Sequence, residues 1–180
     1  MPATSTRSAA GRNGLRQHLL FTALSGALLI VLYSLLRMAL LVYNHELIGE
    51  TTANDLLEAF GNGLRFDLRV VVFVLAPLLL VMGSRRLMAA RTWQLAWLSF
   101  AASLTLFLGV LELDFYREFH QRLNALVFQY LGEDPATVMS MLWHGFPVGR
   151  YLIAWALASW LLFKALQAIH RRVPPADPRL

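Results

Sequence analysis

Long apolar runs alternate with short polar stretches along this chain, and the runs exceed what a soluble core needs. Leu19 to Val42 carries a single charge, Arg37. Val70 to Ser84 carries none, and it reaches spanning length if it begins near Leu64 and takes in Asp67 and Arg69. Thr92 to Leu111 is an uncharged run of twenty residues. Pro147 to Ile169 holds Arg150 near one end and Lys164 near the other, both on stems long enough to snorkel toward head groups. Crossing the hydrocarbon core takes about 20 mostly apolar helical residues. The pattern therefore predicts an all-α integral membrane fold of four transmembrane helices plus an outer interfacial helical segment. The spans fall at about residues 19–42, 64–84, 92–111 and 147–169.

The polar stretches predict the remainder. Residues 1–16 are rich in Ser, Thr, Ala, Gly and Arg and lack apolar periodicity, which suits a disordered tail. In the first connection, Asn54 is expected to cap a short amphipathic helix with Leu56, Leu57 and Phe60 on one face, stopped by Gly61 and Gly63. Pro77 is expected to kink the second span. Residues 112–146 form the interfacial segment: apolar residues from Leu113 to Leu131 recur at helical spacing, continuing span three and then bending along the membrane surface. Gly132 breaks it, Asp134-Pro135 reads as N-cap and N1 of a helix through about Trp143, and Gly145 ends that helix. Residues 173–180, with Pro174, Pro175 and Pro178, read as a linker.

Composition agrees with the pattern: 57% of the 180 residues are hydrophobic and 15% charged, against about 45–50% and about 25% in soluble domains. The charges are also sorted. Arg7, Arg12 and Arg16 precede span one; Arg85, Arg86 and Arg91 fall between spans two and three; Lys164, Arg171, Arg172 and Arg179 lie at the end. The positive-inside rule places these regions, and both termini, in the cytoplasm. Every acid except Asp177 then falls on the opposite side. The net charge of +5 reflects this topology and is no signal for nucleic acid. The first apolar run is too long for a cleaved signal peptide and reads as a retained anchor. Fifteen arginines to one lysine, with abundant Ala and Leu, suggest a GC-rich bacterial gene and hence a bacterial inner membrane. The absence of cysteine excludes disulfides and thiol chemistry.

Charges at the outer ends of the spans are the candidate functional residues: Arg37 in span one, Arg65, Asp67 and Arg69 in span two, Glu112 and Asp114 after span three. Charge at membrane depth is costly and tends to face partners or water. A polar cluster of Arg37, Asp67, Arg69 and Glu112 is expected, either facing a ligand or locking the bundle by ion pairing. Arg117 and Arg122 would sit at phosphate depth, where arginine grips phosphate through paired hydrogen bonds. Glu112 and Asp114 would turn inward toward Arg65 or Arg69. Glu118–Arg122 reads as a surface pair. His120 and Asn124 are four apart but lack a third ligand, so no metal site is expected. Nor is there a phosphate loop, a dinucleotide fingerprint, zinc spacing or a nucleophile elbow, so no catalytic residue is assigned.

Three segments carry a family resemblance. Asn62-Gly-Leu-Arg-Phe-Asp-Leu-Arg resembles the start of span two in lipoteichoic-acid-synthase-like phosphoglycerol transferases. The run from Glu112 to Leu131, followed by Glu133-Asp-Pro, resembles the outer segment after their third span, and Phe146-Pro-Val the start of their fourth. The likeness covers about residues 20–170. It implies the membrane domain of an enzyme that also has a fifth span and an outward catalytic domain of the alkaline phosphatase and sulfatase superfamily. That domain uses a threonine nucleophile and a divalent metal, manganese or magnesium, to move glycerol phosphate from phosphatidylglycerol. Arg65, Asp67, Glu112, Asp114, Arg122 and Asn124 are the residues to which a membrane-facing role carries over. Thr51, Thr52 and Thr137 match no nucleophile motif, and no cofactor is expected in this chain. Two readings follow. One is the anchoring domain of such a transferase, truncated before a catalytic domain that is separately encoded. The other is a free-standing membrane scaffold or partner subunit.

Overall fold

Continuous apolar sequence carries helix through positions where glycine or proline would stop one in water. The computed structural model describes residues 3–47, 51–120 and 134–173. Among the described residues six α-helices follow in order: α1 Ala3–Tyr43, α2 Ala53–Leu80, a short α3 Arg85–Ala89, α4 Arg91–Phe119, α5 Pro135–Gly145 and α6 Val148–Arg172. No strand occurs among the described residues. Four stretches are long and apolar enough to cross a membrane: Gly14–Tyr43, Ala53–Gly83, Arg91–Arg117 and Val148–Arg172. The shortest has 25 residues, about 37 Å of helix against a hydrocarbon core of about 30 Å. Between 11% and 33% of each apolar window is buried inside the bundle. Most of each apolar window therefore faces outward, which is compatible with a multi-pass membrane protein.

Helix starts obey local chemistry. Asp134 caps α5 as its sequence implies, accepting from Thr137 N at 3.1 Å with Pro135 at the first helical position. The start of α2 differs from expectation. Its cap is Thr52, not Asn54: Thr52 Oγ1 accepts from Asp55 N at 3.3 Å while Thr52 N donates to Asp55 Oδ2 at 3.0 Å. This reciprocal pair satisfies two end donors at once, which a lone Asn54 would not. Gly61 and Gly63 do not stop the helix, so the expected short helix and span two are one rod. A helical glycine costs only about 1 kcal/mol, and Gly63 is required by what packs on it. Pro77 falls in the last turn of α2 and has no N–H to give to Phe73 O, yet the helix continues to Leu80. The segment expected to be a disordered tail is helical from Ala3; extending an existing helix needs no new nucleus. At the far end α4 runs past the expected limit of span three to Phe119 and closes on a left-handed His120 (φ 52°), whose N–H bonds Tyr116 O at 2.9 Å. The predicted bend, the break at Gly132 and the linker from Pro174 lie outside the described residues.

Interhelical bonds give the topology. Tyr33 Oη lies 3.0 Å from Thr105 Oγ1, and Asn44 Nδ2 donates to Leu113 O, so α1 and α4 run parallel. Arg37–Asp67 and His18–Leu78 set α1 and α2 antiparallel. Ser103–Ser159 and Trp155 Nε1 to Ser103 O, both 2.9 Å, join α4 to α6. Phe21, Leu29, Leu78, Leu98, Leu106 and Leu166 are fully buried between these helices. Packing of these side chains and such polar contacts join the helices.

Candidate polar cavity at the Arg37 end

Helical spacing brings three polar faces to one end of the bundle. On α1, Tyr33, Arg37, Leu40 and Asn44 fall on one stripe; on α2, Phe60, Gly63 and Asp67 do; on α4, Thr105, Gly109, Glu112 and Tyr116 do. The stripes face one another across a cavity of about 600 Å³.

Arg37 anchors the cavity. Its Nη2 donates to Asp67 Oδ2 at 2.6 Å and its Nη1 to Phe60 O at 3.0 Å, with the Phe60 ring 5.8 Å from the guanidinium carbon. Both side chains of the pair are only 16% exposed. Gly63 makes this geometry possible: a Cβ there would overlap the Arg37 guanidinium. The glycine read as a helix stop is therefore the seat of the ion pair. Gly109 similarly lies against Leu36, whose Cδ1 would be 3.0 Å from an added Cβ. Higher up, Asn44 Nδ2 donates to Leu40 O and Leu113 O at 3.2 Å each.

The expected residues divide. Arg37, Asp67 and Glu112 line the cavity together. Arg69 does not: it is exposed and lies over Phe66 at 5.1 Å. Arg65 is exposed as well. Each lies two residues from Asp67, about 160° around the helix, so the rotation that turns Asp67 inward turns both arginines out. Asp114 meets neither. It accepts from Tyr43 Oη at 2.7 Å, in an exposed group where Arg117 lies 5.8 Å from the Tyr43 ring and 3.7 Å from Glu46 Oε2. Arg122 and Asn124 lie outside the described residues.

Sequence reading missed Asn44, Tyr33 and Thr105. Their helical register with Arg37 and Glu112 was the available signal. It also assigned Arg91 to a connecting loop, whereas Arg91 is buried at the opposite end, 4.0 Å over the Phe21 ring, with Gln94 Oε1 and Gln17 O at 3.5 and 3.4 Å. The backbone turn before α4 draws it inward: Gln94 Nε2 holds Leu87 O and Met88 O at 2.8 and 3.2 Å.

Chemically, the cavity offers a fixed guanidinium, a carboxylate and aromatic faces. Among the described residues no group of three His, Cys, Asp or Glu side chains is placed to hold a metal ion. The chain matches no known family model, no curated protein and no solved structure.

Proposed function

We propose that this chain is a non-catalytic, multi-pass module of a bacterial inner membrane, with both termini cytoplasmic, that holds a phospholipid head group in the Arg37 cavity. In this reading it is the anchoring domain of a sulfatase-like phosphoglycerol transferase. Phosphatidylglycerol is the lipid that the resemblance implies, and manganese or magnesium is the metal that the resemblance implies for the catalytic domain of such a transferase. One observation carries the reading. Two of the three segments on which the resemblance rests, far apart in sequence, contribute Asn62, Gly63, Asp67, Glu112 and Tyr116 to the lining of one cavity. A pocket walled by apolar helices with a few convergent polar groups is the common form of a ligand site.

The competing reading, a scaffold whose ion pair only locks the helices, draws on the mutual satisfaction of Arg37 and Asp67. Native mass spectrometry of the detergent-extracted chain separates the two. Co-purifying phospholipid is expected to be retained by the unaltered chain and lost on Ala59→Phe, which fills the cavity from an exposed lining position without touching the ion pair. Equal lipid retention by both would leave the scaffold.

A further inference from the structure

The cavity is a cleft with one open side. Helix α1 forms its back wall, tied to α2 by Arg37–Asp67 at 2.6 Å and to α4 by Tyr33–Thr105 at 3.0 Å, with Leu36 against Gly109. Between α2 and α4 the lining is exposed instead. On α2, Ala59, Asn62, Phe66 and Val70 recur at helical spacing along the cavity, and all four are exposed. Leu108 of α4 lines the same cavity. Phe66, Val70 and Leu108 are 58%, 39% and 42% exposed, so these lining residues are also the lips of the opening. One turn below Val70 the opening ends: Trp97 Nε1 of α4 donates to Val74 O of α2 at 2.9 Å, and Val74 is buried.

The cleft changes chemistry along its depth. The Arg37 guanidinium sits against Gly63, twenty residues before Gly83 at the end of the apolar stretch. That separation is about 30 Å of helix, the thickness of a hydrocarbon core. With Gly83 at the cytoplasmic boundary, the guanidinium lies at the outer one. Leu56, Ala59 and Asn62 then stand at head-group depth, and Phe66 and Val70 within the hydrocarbon. From Gly63 to Val70 is about 10 Å. Beside the ion pair, this lower part is walled by Leu36, Phe66, Val70, Leu108 and Gly109. Its floor is closed on itself. Thr105 Oγ1 donates to Ala102 O at 2.9 Å, so Tyr33 Oη donates to Thr105, and neither hydroxyl has a proton left for a ligand.

We infer that a phospholipid enters this cavity sideways from the outer leaflet, between α2 and α4, and keeps the first part of one acyl chain in the lower cleft against Phe66, Val70 and Leu108. This rests on the head-group reading above and adds to it a route of entry and a seat for the chain. The open side extends below the guanidinium, to a depth that only a chain-bearing ligand can use. The lipid never leaves the bilayer on this route: its chain exchanges lipid tails for a wall of equal apolarity, while its head group moves along the upper cleft.

The test is native mass spectrometry of the full chain in detergent with added phosphatidylglycerol. Val70→Trp and Leu108→Trp plug the opening from its two lips. Both positions are exposed, so the ring has room without displacing the core, and each variant is expected to lose bound lipid at an unchanged melting temperature. Val72→Trp, an equally lipid-facing change on α2 at a residue 60% exposed and outside the lining, is expected to keep it. Glycerol phosphate in the buffer is expected not to displace the lipid; displacement would mean that the head group alone suffices and would overturn the chain seat. Retention by both lip variants, with loss on Ala59→Phe, overturns the side entry and leaves the head-group site standing. Loss on Val72→Trp equal to that on Val70→Trp overturns the side entry as well. Retention by Ala59→Phe and both lip variants alike overturns the head-group reading together with it.

Discussion

Arg37→Ala tests the central contact of the cavity. The substitution removes the 2.6 Å bond to Asp67 and the 3.0 Å bond to Phe60 O, and it leaves the Asp67 carboxylate in a crevice where each partner was 16% exposed. Ion pairs in open water contribute about 0.2–1 kcal/mol. Breaking a buried pair costs about 3–5 kcal/mol, because the remaining charge is stranded. This pair lies near the buried limit, so Arg37→Ala is expected to destabilise the fold by about 3 kcal/mol. Arg65→Ala, an exposed change on the opposite face of α2, is the control and is expected to shift stability by no more than about 0.5 kcal/mol. Reversible unfolding in mixed detergent and SDS micelles reads both. Replacing the pair jointly, Arg37→Met with Asp67→Leu, is expected to recover most of the loss, since no charge is then left unpaired. If Arg37→Ala and Arg65→Ala prove equally mild, the guanidinium reaches water in the membrane, and the cavity is not organised around an ion pair.

Three further outcomes are expected. Gly63→Ala should destabilise the chain, because its Cβ would overlap the Arg37 guanidinium and displace it from its present seat beside Asp67; in an Arg37→Ala background the same change should instead stabilise by up to about 1 kcal/mol through helix propensity. Unfolding of the double mutant against each single mutant shows whether the sign reverses. A phosphatase reporter fused near Ala53 should be active and one fused after Leu180 inactive; the reverse pattern would overturn the charge-based orientation. Hydrogen bonds from Thr137, side chain first and then backbone, hold the Asp134 carboxyl below its ordinary range. A depressed carboxyl supports the fold at neutral pH and withdraws that support as pH falls through the lowered value. Amide exchange protection at the start of α5 should therefore drop only under strongly acidic conditions, and an Asp134→Asn chain should lack that pH dependence.

Four helices fit to cross a membrane were readable from the sequence because spanning length is a local property. Twenty apolar residues in Thr92–Leu111 suffice whatever lies beside them. The cap at Asp134-Pro135 was readable for the same reason, since its ring closes within three residues. The Thr52–Asp55 capping box was equally local and was overlooked in favour of Asn54. Partner choice is not local. Arg37, Asp67, Arg69 and Glu112 had matching depth, but only rotation of each helix about its axis decides which meet. A helix turns about 100° per residue, so Asp67 reaches Arg37 while Arg65 and Arg69 turn away, and Asp114 finds Tyr43. Gly63 shows the same division: in one dimension it is a helix breaker, and only the approach of α1 makes it the place where a guanidinium fits. Arg91, counted as a loop charge, became an interior residue once α4 packed Phe21 against it. Element length and end chemistry depend on near neighbours in sequence, whereas the cavity depends on the register and rotation of three helices, which packing alone decides.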